Sequence, residues 1–158
     1  MKIYFGSDHA GFQLKQTLMP FASDLGYEIQ DLGDFEADPE DDYPDFVIPV
    51  ARLVSDSPEE AKGIIIGGSG QGEAIAANRF HGVRAVVFNG QYEPKDGREV
   101  PHEIEISRLH NDANILSLGA RFLNDDEAKE AVRLWLTTPF SGDERHVRRL
   151  RKIEEITQ

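Results

Sequence analysis

Four glycines fall within six positions of this chain, Gly67, Gly68, Gly70 and Gly72, and one carboxylate, Glu73, closes the run. Three β-branched residues, Ile64 to Ile66, precede it as a strand, and the alanine-rich stretch Ala74 to Asn78 follows as a helix. A glycine loop between strand and helix lets backbone N–H groups converge at the positive end of the helix, a place suited to a phosphate or a developing oxyanion. An anion cradle with a lone carboxylate at its rim points to proton transfer. The plainer alternative is a tight structural turn, with Glu73 as an N-terminal helix acid contributing ~0.3–1 kcal/mol. The loop is not a dinucleotide fingerprint: counted from Gly68, the third glycine of G-x-G-x-x-G is replaced by Glu73. No lysine follows the glycines as a P-loop requires.

Three further groups could do chemistry. Asp8-His9-Ala10-Gly11 stands at a strand-to-helix junction, where Asp8 is either a helix cap or a site carboxylate, and His9 a phosphate ligand or a plain loop residue. Arg145 and Arg149 are four apart on one helix face, with no acid three or four residues away. Two such guanidiniums form a fork for phosphate, unless an acid elsewhere in the fold answers them. Arg148, Arg151 and Lys152, by contrast, have Glu144 or Glu155 within that reach. His110 is one of five histidines, none at the spacing of a helical metal site, so no metal ligand set is expected. Cysteine is absent, which excludes disulfides and thiolate catalysis. Ser69 has no nucleophile elbow around it.

The elements that must position these residues alternate between strand and helix, which predicts a parallel sheet with helices on both faces. Strands are expected at Lys2–Ser7, Tyr27–Leu32, Ile64–Ile66, Val83–Phe88 and Asn114–Leu118. Helices are expected at Phe12–Leu25, Pro44–Val54, Glu73–Asn78, Asp125–Leu136 and Asp143–Ile156. Asn89 to Glu105, with Gly90, Pro94, Gly97 and Pro101, reads as a long surface loop. Ligands of such sheets bind at the carboxyl ends of the strands. The polar groups Ser7-Asp8-His9, the glycine loop, His110-Asn111-Asp112 and Gly119-Ala120-Arg121 are all expected there.

At 158 residues the chain is expected to form one domain over 1–158. No apolar run approaches the ~20 residues of a membrane span, and the N-terminus enters a strand without a signal-peptide pattern. The expectation is a soluble cytoplasmic protein. A net charge of −12 disfavours nonspecific binding to nucleic acid or anionic membrane. The charge is uneven. Asp31 to Asp45 carries eight acids and no base, whereas residues 143–158 carry five Arg or Lys.

Taken in order, these pieces resemble the type B ribose-5-phosphate isomerases and the sugar-phosphate isomerases related to them. The resemblance is carried by Gly6-Ser-Asp-His-Ala-Gly-Phe12, Asp42-Tyr-Pro44, Gly67 to Asn78, Gly82-Val-Arg-Ala85, His110-Asn-Asp-Ala-Asn114, Gly119-Ala-Arg121 and Arg145-His-Val-Arg-Arg149. It runs over nearly the whole chain. It implies a three-layer α/β/α Rossmann-like fold with a five-stranded parallel sheet. The implied reaction is interconversion of ribose 5-phosphate and ribulose 5-phosphate through an enediolate, with no metal or organic cofactor. Many members carry a cysteine at the start of the glycine loop; Gly67 stands there, so the chain resembles the branch whose base is the loop glutamate, Glu73. The resemblance further implies His110 as proton donor in ring opening, with Asp8 assisting. The backbone of Gly68, Ser69, Gly70, Gln71 and Gly72 would hold the enediolate oxygen, and Asn111 would contact the sugar. His9, Arg121, Arg145 and Arg149 would hold the phosphate, with Tyr43 lining the pocket. A homodimer or tetramer with sites between two subunits is implied, the helix of about 143–156 packing on the partner.

Asn89 to Glu105 is longer than the corresponding part of family members, which leaves the sugar open: a tetrose phosphate, allose 6-phosphate or galactose 6-phosphate would use the same residues. A phosphosugar-binding module without catalysis is a different class. Binding alone requires no base, so Glu73, His110 and Asp8 together argue against it.

Overall fold

In the computed structural model, which describes residues 1–99 and 101–156, five parallel strands form one sheet in the order β2-β1-β3-β5-β4. The strands are β1 (Lys2–Ser7), β2 (Glu28–Asp31), β3 (Ala61–Gly67), β4 (Ala85–Phe88) and β5 (Ile115–Gly119). The helices are α1 (Phe12–Asp24), α2 (Pro44–Asp56), α3 (Gln71–Ala77), α4 (Glu103–Asn111), α5 (Asp125–Thr137) and α6 (Glu144–Glu154). This is the expected three-layer α/β/α arrangement.

β3 is the central strand and is buried along its whole length. Successive side chains of a strand point to opposite faces, so Ile64 and Ile66 serve one core and Ile65 the other. The first core packs β1, β3 and β5 against α1, α4 and α5 through Leu14, Leu18, Ile104, Val132 and Trp135. The second packs the other face against α2 and α3 through Val47, Val50, Val54 and Ala77. Each fully buried isoleucine contributes about 1.5–3 kcal/mol, which makes the strand that ends in the glycine loop among the best anchored. From β1 the chain goes outward to β2, then returns to β3 on β1's other side. The carboxyl ends of β1 and β3 therefore flank the crevice where open α/β sheets bind ligands.

One expectation fails. Asn89–Glu105 is not loop throughout: α4 starts at Glu103, and the loop ends at His102, with Val100 of that stretch lying outside the described residues. The His102 N–H donates to Glu105 in a capping box, and Ile104, Ser107 and Arg108 share one buried face. Of the aliphatic residues of α4, Ile104, Ile106 and Leu109, only Ile104 is buried, and their spacing gives no helical period. Among the described residues, no helix is long and apolar enough to cross a membrane.

Candidate active site

Six elements and loops meet at the carboxyl edge of the sheet. Asp8 follows β1, and its Oδ1 accepts the Gly11 N–H at 3.0 Å, closing the turn into α1. It is thus both a turn-former and a nearly buried carboxylate facing the crevice. His9 is gripped by Asp41, whose Oδ2 accepts the His9 backbone N–H at 2.8 Å and whose Oδ1 lies 2.5 Å from Nδ1. That hydrogen bond, with the charges of Asp41 and Asp8, holds the imidazole pKa above its ordinary value against desolvation and the nearby Arg121. Arg121 lies over the loop: a side chain at Gly68 would stand 3.0 Å from its Cζ. The Tyr43 ring backs onto Gly72 in the same way, at 2.9 Å.

Glu73 is the centre of this group. It stands in the first turn of α3, is 4 % exposed, and its carboxylate fills the space beside Gly67. A Cβ at Gly67 would overlap Glu73 Oε1, so the missing side chain at the end of β3 makes the room the carboxylate occupies. Burial raises the Glu73 pKa, and Asp8 adds to the shift, while its own backbone N–H opposes them. A carboxylate raised toward neutrality can accept a proton and return it.

The loop is built to present N–H groups. Gly70 takes φ 73°, the left-handed region that glycine enters without steric cost. Ala120 N–H donates to the Gly67 carbonyl at 2.8 Å and Arg121 N–H to that of Gly68 at 3.2 Å. Among the described residues, the amides of Gly68, Ser69 and Gly70 have no protein acceptor.

His110, Asn111, Arg145 and Arg149 are not there. α4 runs back to the amino edge of the sheet before β5 begins, so the expected grouping of His110-Asn111-Asp112 with the glycine loop does not hold within one chain. β5 alone, five residues long, separates the two edges by roughly 17 Å. At the amino edge, Asp112 turns the chain at φ 44°. Its Oδ1 accepts from Arg108 at 2.7 Å and its Oδ2 from Arg84 at 2.9 Å, while Arg84 Nε also donates to its carbonyl. This double grip fixes how His110 is presented. The His110 ring stacks on His146, centroids 4.3 Å apart and 11° from parallel. His146 is 3 % exposed, and its pKa is lowered by burial first, then by His110 and Arg145. Its Nε2 accepts from Arg145 Nε at 3.1 Å.

Arg145 and Arg149 are exposed on α6. Arg145 comes within 3.8 Å of Asp143, and Arg149 has no ion-pair partner among the described residues. Among the described residues, no acid of the Asp31–Asp45 run pairs with either arginine. Nor do Glu144 and Glu155 pair with Arg148, Arg151 or Lys152.

Sequence reasoning missed Asp41, His146 and the Arg84–Asp112–Arg108 grip. Asp41 was visible only as one of eight acids in its run, although it adjoins Asp42-Tyr43-Pro44. His146 lay inside the Arg145–Arg149 motif.

With this geometry in view, comparison with known proteins is informative. Residues 3–153 match the Ribose/Galactose Isomerase family. The chain is 38 % identical over 157 residues to ribose-5-phosphate isomerase B of Mycolicibacterium paratuberculosis, covering 98 % of this chain and 91 % of that one. Among solved structures, ribose-5-phosphate isomerase B of Mycoplasma genitalium with bound ribulose-5-phosphate superposes with a TM-score of 0.88 at 34 % identity, covering 98 % and 95 % of the two chains. The Clostridium thermocellum ribose-5-phosphate isomerase B gives 0.86 at 42 % identity over 99 % and 97 %.

Proposed function

The chain belongs to the ribose/galactose isomerase family, and from that membership we propose that it interconverts ribose 5-phosphate and ribulose 5-phosphate with Glu73 as the base. One observation carries the assignment of the base: the buried Glu73 carboxylate, seated in the space left by Gly67, beside backbone amides that have no protein partner. In the open-chain aldose, Glu73 takes the C2 proton, and the carbonyl oxygen at C1 gains the negative charge. The free amides of Gly68, Ser69 and Gly70 stabilise that enediolate. Return of the proton to C1, with proton transfer between the two oxygens, gives the ketose. Asp8 assists from the hydroxyl side, and His9 as imidazolium joins Arg121 in holding the phosphate. That anchor lets binding energy from a remote group position the reacting carbons.

His110, Asn111, Arg145 and Arg149 complete the site only from a second copy. A two-fold dimer would set the amino edge of one chain against the carboxyl edge of the other, giving two equal sites from one kind of contact. Two exposed arginines, one without an ion-pair partner among the described residues, and a histidine held on a stacked ring suit that role. The helix of residues 143–156 would then pack on the partner.

The assay is conversion of ribose 5-phosphate by wild type and Glu73→Gln, each with and without a chelator. Turnover that survives the chelator and collapses in the variant supports the reading; full activity in Glu73→Gln sinks it. A second sugar is favoured by one feature: the loop from Asn89 to His102 begins against the glycine loop, with Asn89 Nδ2 donating to the Ser69 carbonyl at 3.0 Å. Profiling tetrose 4-phosphates, allose 6-phosphate and galactose 6-phosphate by kcat/KM decides between them.

A further inference from the structure

Each of four successive carbonyls in the glycine loop is held by a donor from the β4–β5 side of the sheet. Gly67 and Gly68 receive backbone N–H groups from Ala120 and Arg121. Ser69 receives Asn89 Nδ2 at 3.0 Å, and Gly70 receives Ser117 Oγ at 2.7 Å, sharing that carbonyl with the α3 bond from Ala74 N–H. A trans peptide is planar, and its carbonyl and the next N–H point in opposite directions. Holding the carbonyl of one residue therefore aims the amide of the next. The first two holds are part of the backbone path. The last two are side-chain choices: Asn89 aims the free amide of Gly70, and Ser117 holds the carbonyl of Gly70 itself, whose next amide, Gln71 N–H, reaches Ser69 Oγ at 3.4 Å.

We propose that Asn89 and Ser117 are positioning residues that clamp Gly70 from both sides, Asn89 through the Ser69 carbonyl and Ser117 through the Gly70 carbonyl, and so aim the Gly70 amide at the enediolate oxygen. The inference rests on the reading of the loop given above. Two observations beyond the distances support it. Asn89 Oδ1 is buried without a hydrogen-bond partner, pressed against Gly119, where a Cβ would overlap it. Turning the amide over would set this oxygen against the Ser69 carbonyl, so the donor orientation is retained at the cost of an unpaired acceptor. A buried polar group left unpaired in a native fold asks for a reason, and fixing the loop is one. Ser117, for its part, is a fully buried hydroxyl in the middle of β5, otherwise flanked by Leu116 and Leu118. It serves no core that an alanine would not serve.

A purely structural role would lower stability and disturb every ligand alike. A role in aiming the amides affects only ligands carrying charge at the enediolate oxygen. The experiment uses the full-length protein and three ligands: ribose 5-phosphate, a hydroxamic acid phosphate that mimics the enediolate, and a sugar-alcohol phosphate with no carbonyl. Asn89→Asp keeps the shape but turns an oxygen toward the Ser69 carbonyl. It should lower kcat by ~10–100-fold, below the ~10²–10³ for deleting an oxyanion donor outright, with KM little changed. Hydroxamate affinity should fall by the same factor as kcat/KM, while the sugar-alcohol phosphate binds as before. Ser117→Ala should show the same pattern more weakly, because Ala74 still holds the Gly70 carbonyl, and Ser117→Thr should restore it. If Asn89→Asp does not fold, Ser117→Ala with its threonine rescue carries the test alone. Equal weakening of both inhibitors, or an unchanged kcat in the folded variants, overturns the proposal. Should wild type bind the hydroxamate no tighter than the sugar-alcohol phosphate, the underlying reading of the loop fails instead, whatever the variants do.

Discussion

The two edges of the sheet are built in opposite ways. At the carboxyl edge, Asp8 and Glu73 are nearly buried, and the loop beside them is held through its own carbonyls. At the amino edge, Arg145 and Arg149 stand in solvent, and His110 is held by neighbours: a stacked His146 and a turn gripped by Arg84 and Arg108. Desolvation is what tunes a carboxylate for proton transfer, so the first edge suits a base. Exposed guanidiniums keep their charge and cost little until a phosphate arrives, so the second suits an anchor. On the proposed reading neither edge alone has everything the reaction needs: the buried acid–base groups lie within one chain, and the exposed arginines await a second.

The largest test of this contrast is Glu73→Gln, expected to lower kcat by about 10²–10⁴-fold, the usual range for a positioned acid–base group. The same change should make the protein more stable at neutral pH. Because the folded state raises the Glu73 pKa, it holds the proton more tightly than the unfolded chain. The favourable contribution is complete below the ordinary carboxylate pKa and is lost as pH rises through the raised value. Glutamine carries no such loss, so melting of the variant at pH 7.5 should lie above wild type and converge with it in acid. A lower melting temperature at neutral pH would mean that the buried carboxylate is stabilised, not strained. Gly67→Ala comes next. Its methyl would overlap Glu73 Oε1, and a base displaced by about 1 Å costs on the order of 10²-fold. An alanine variant with wild-type kcat would show that Glu73 does its work from another position.

Complementation breaks the comparison from the other side. Glu73→Gln damages only the carboxyl edge, and His110→Ala only the amino edge. If a site is made from one edge of each copy, mixing the two inactive proteins and letting subunits exchange creates heterodimers with one intact site. Random pairing then restores about a quarter of wild-type activity per chain. Activity that stays at the level of the separate variants after proven exchange would refute the shared site.

Much of the fold was legible because its signals are local. β1 and the starts of α1, α2 and α5 follow from strand–helix alternation, apolar periodicity and Pro44 at a helix beginning. α4 was not, since its one buried isoleucine cannot mark a period. The site was half legible. Glycines and an acid at a strand end carry their meaning in sequence, so Asp8, His9, the loop and Glu73 could be grouped. The position of His110 could not, because a residue before a strand lies at the opposite edge from one after it, and the strand had been placed without the helix that delivers His110. Asp41, Asn89 and Ser117 act through contacts 20 to 47 residues away in sequence. No local pattern predicts such pairs.

The smallest expected effect tests whether the carboxyl edge also takes part in anchoring. On the proposed reading His9 holds phosphate as imidazolium, and its hydrogen bond to Asp41 keeps the pKa above the ordinary histidine value. For wild type, KM for the sugar phosphate should therefore stay flat until pH passes the raised His9 pKa, and rise above it. Asp41→Asn keeps an acceptor oxygen for the His9 backbone N–H but removes the charge and the strongest partner of Nδ1. The rise in KM should then begin at lower pH, giving a several-fold higher KM between the variant's and the wild type's His9 pKa and a difference that closes as pH falls below both. The groups that face His9, Asp8 and Arg121, are unchanged, so the shift reads Asp41 alone. Since kcat depends on Glu73 and the loop, it should move little. A KM raised by the same factor across the whole pH range would mean that Asp41 shapes the pocket without setting the charge on His9. The division between a proton-transfer edge and an anchoring edge would then be sharper than the His9–Asp41 pair now suggests.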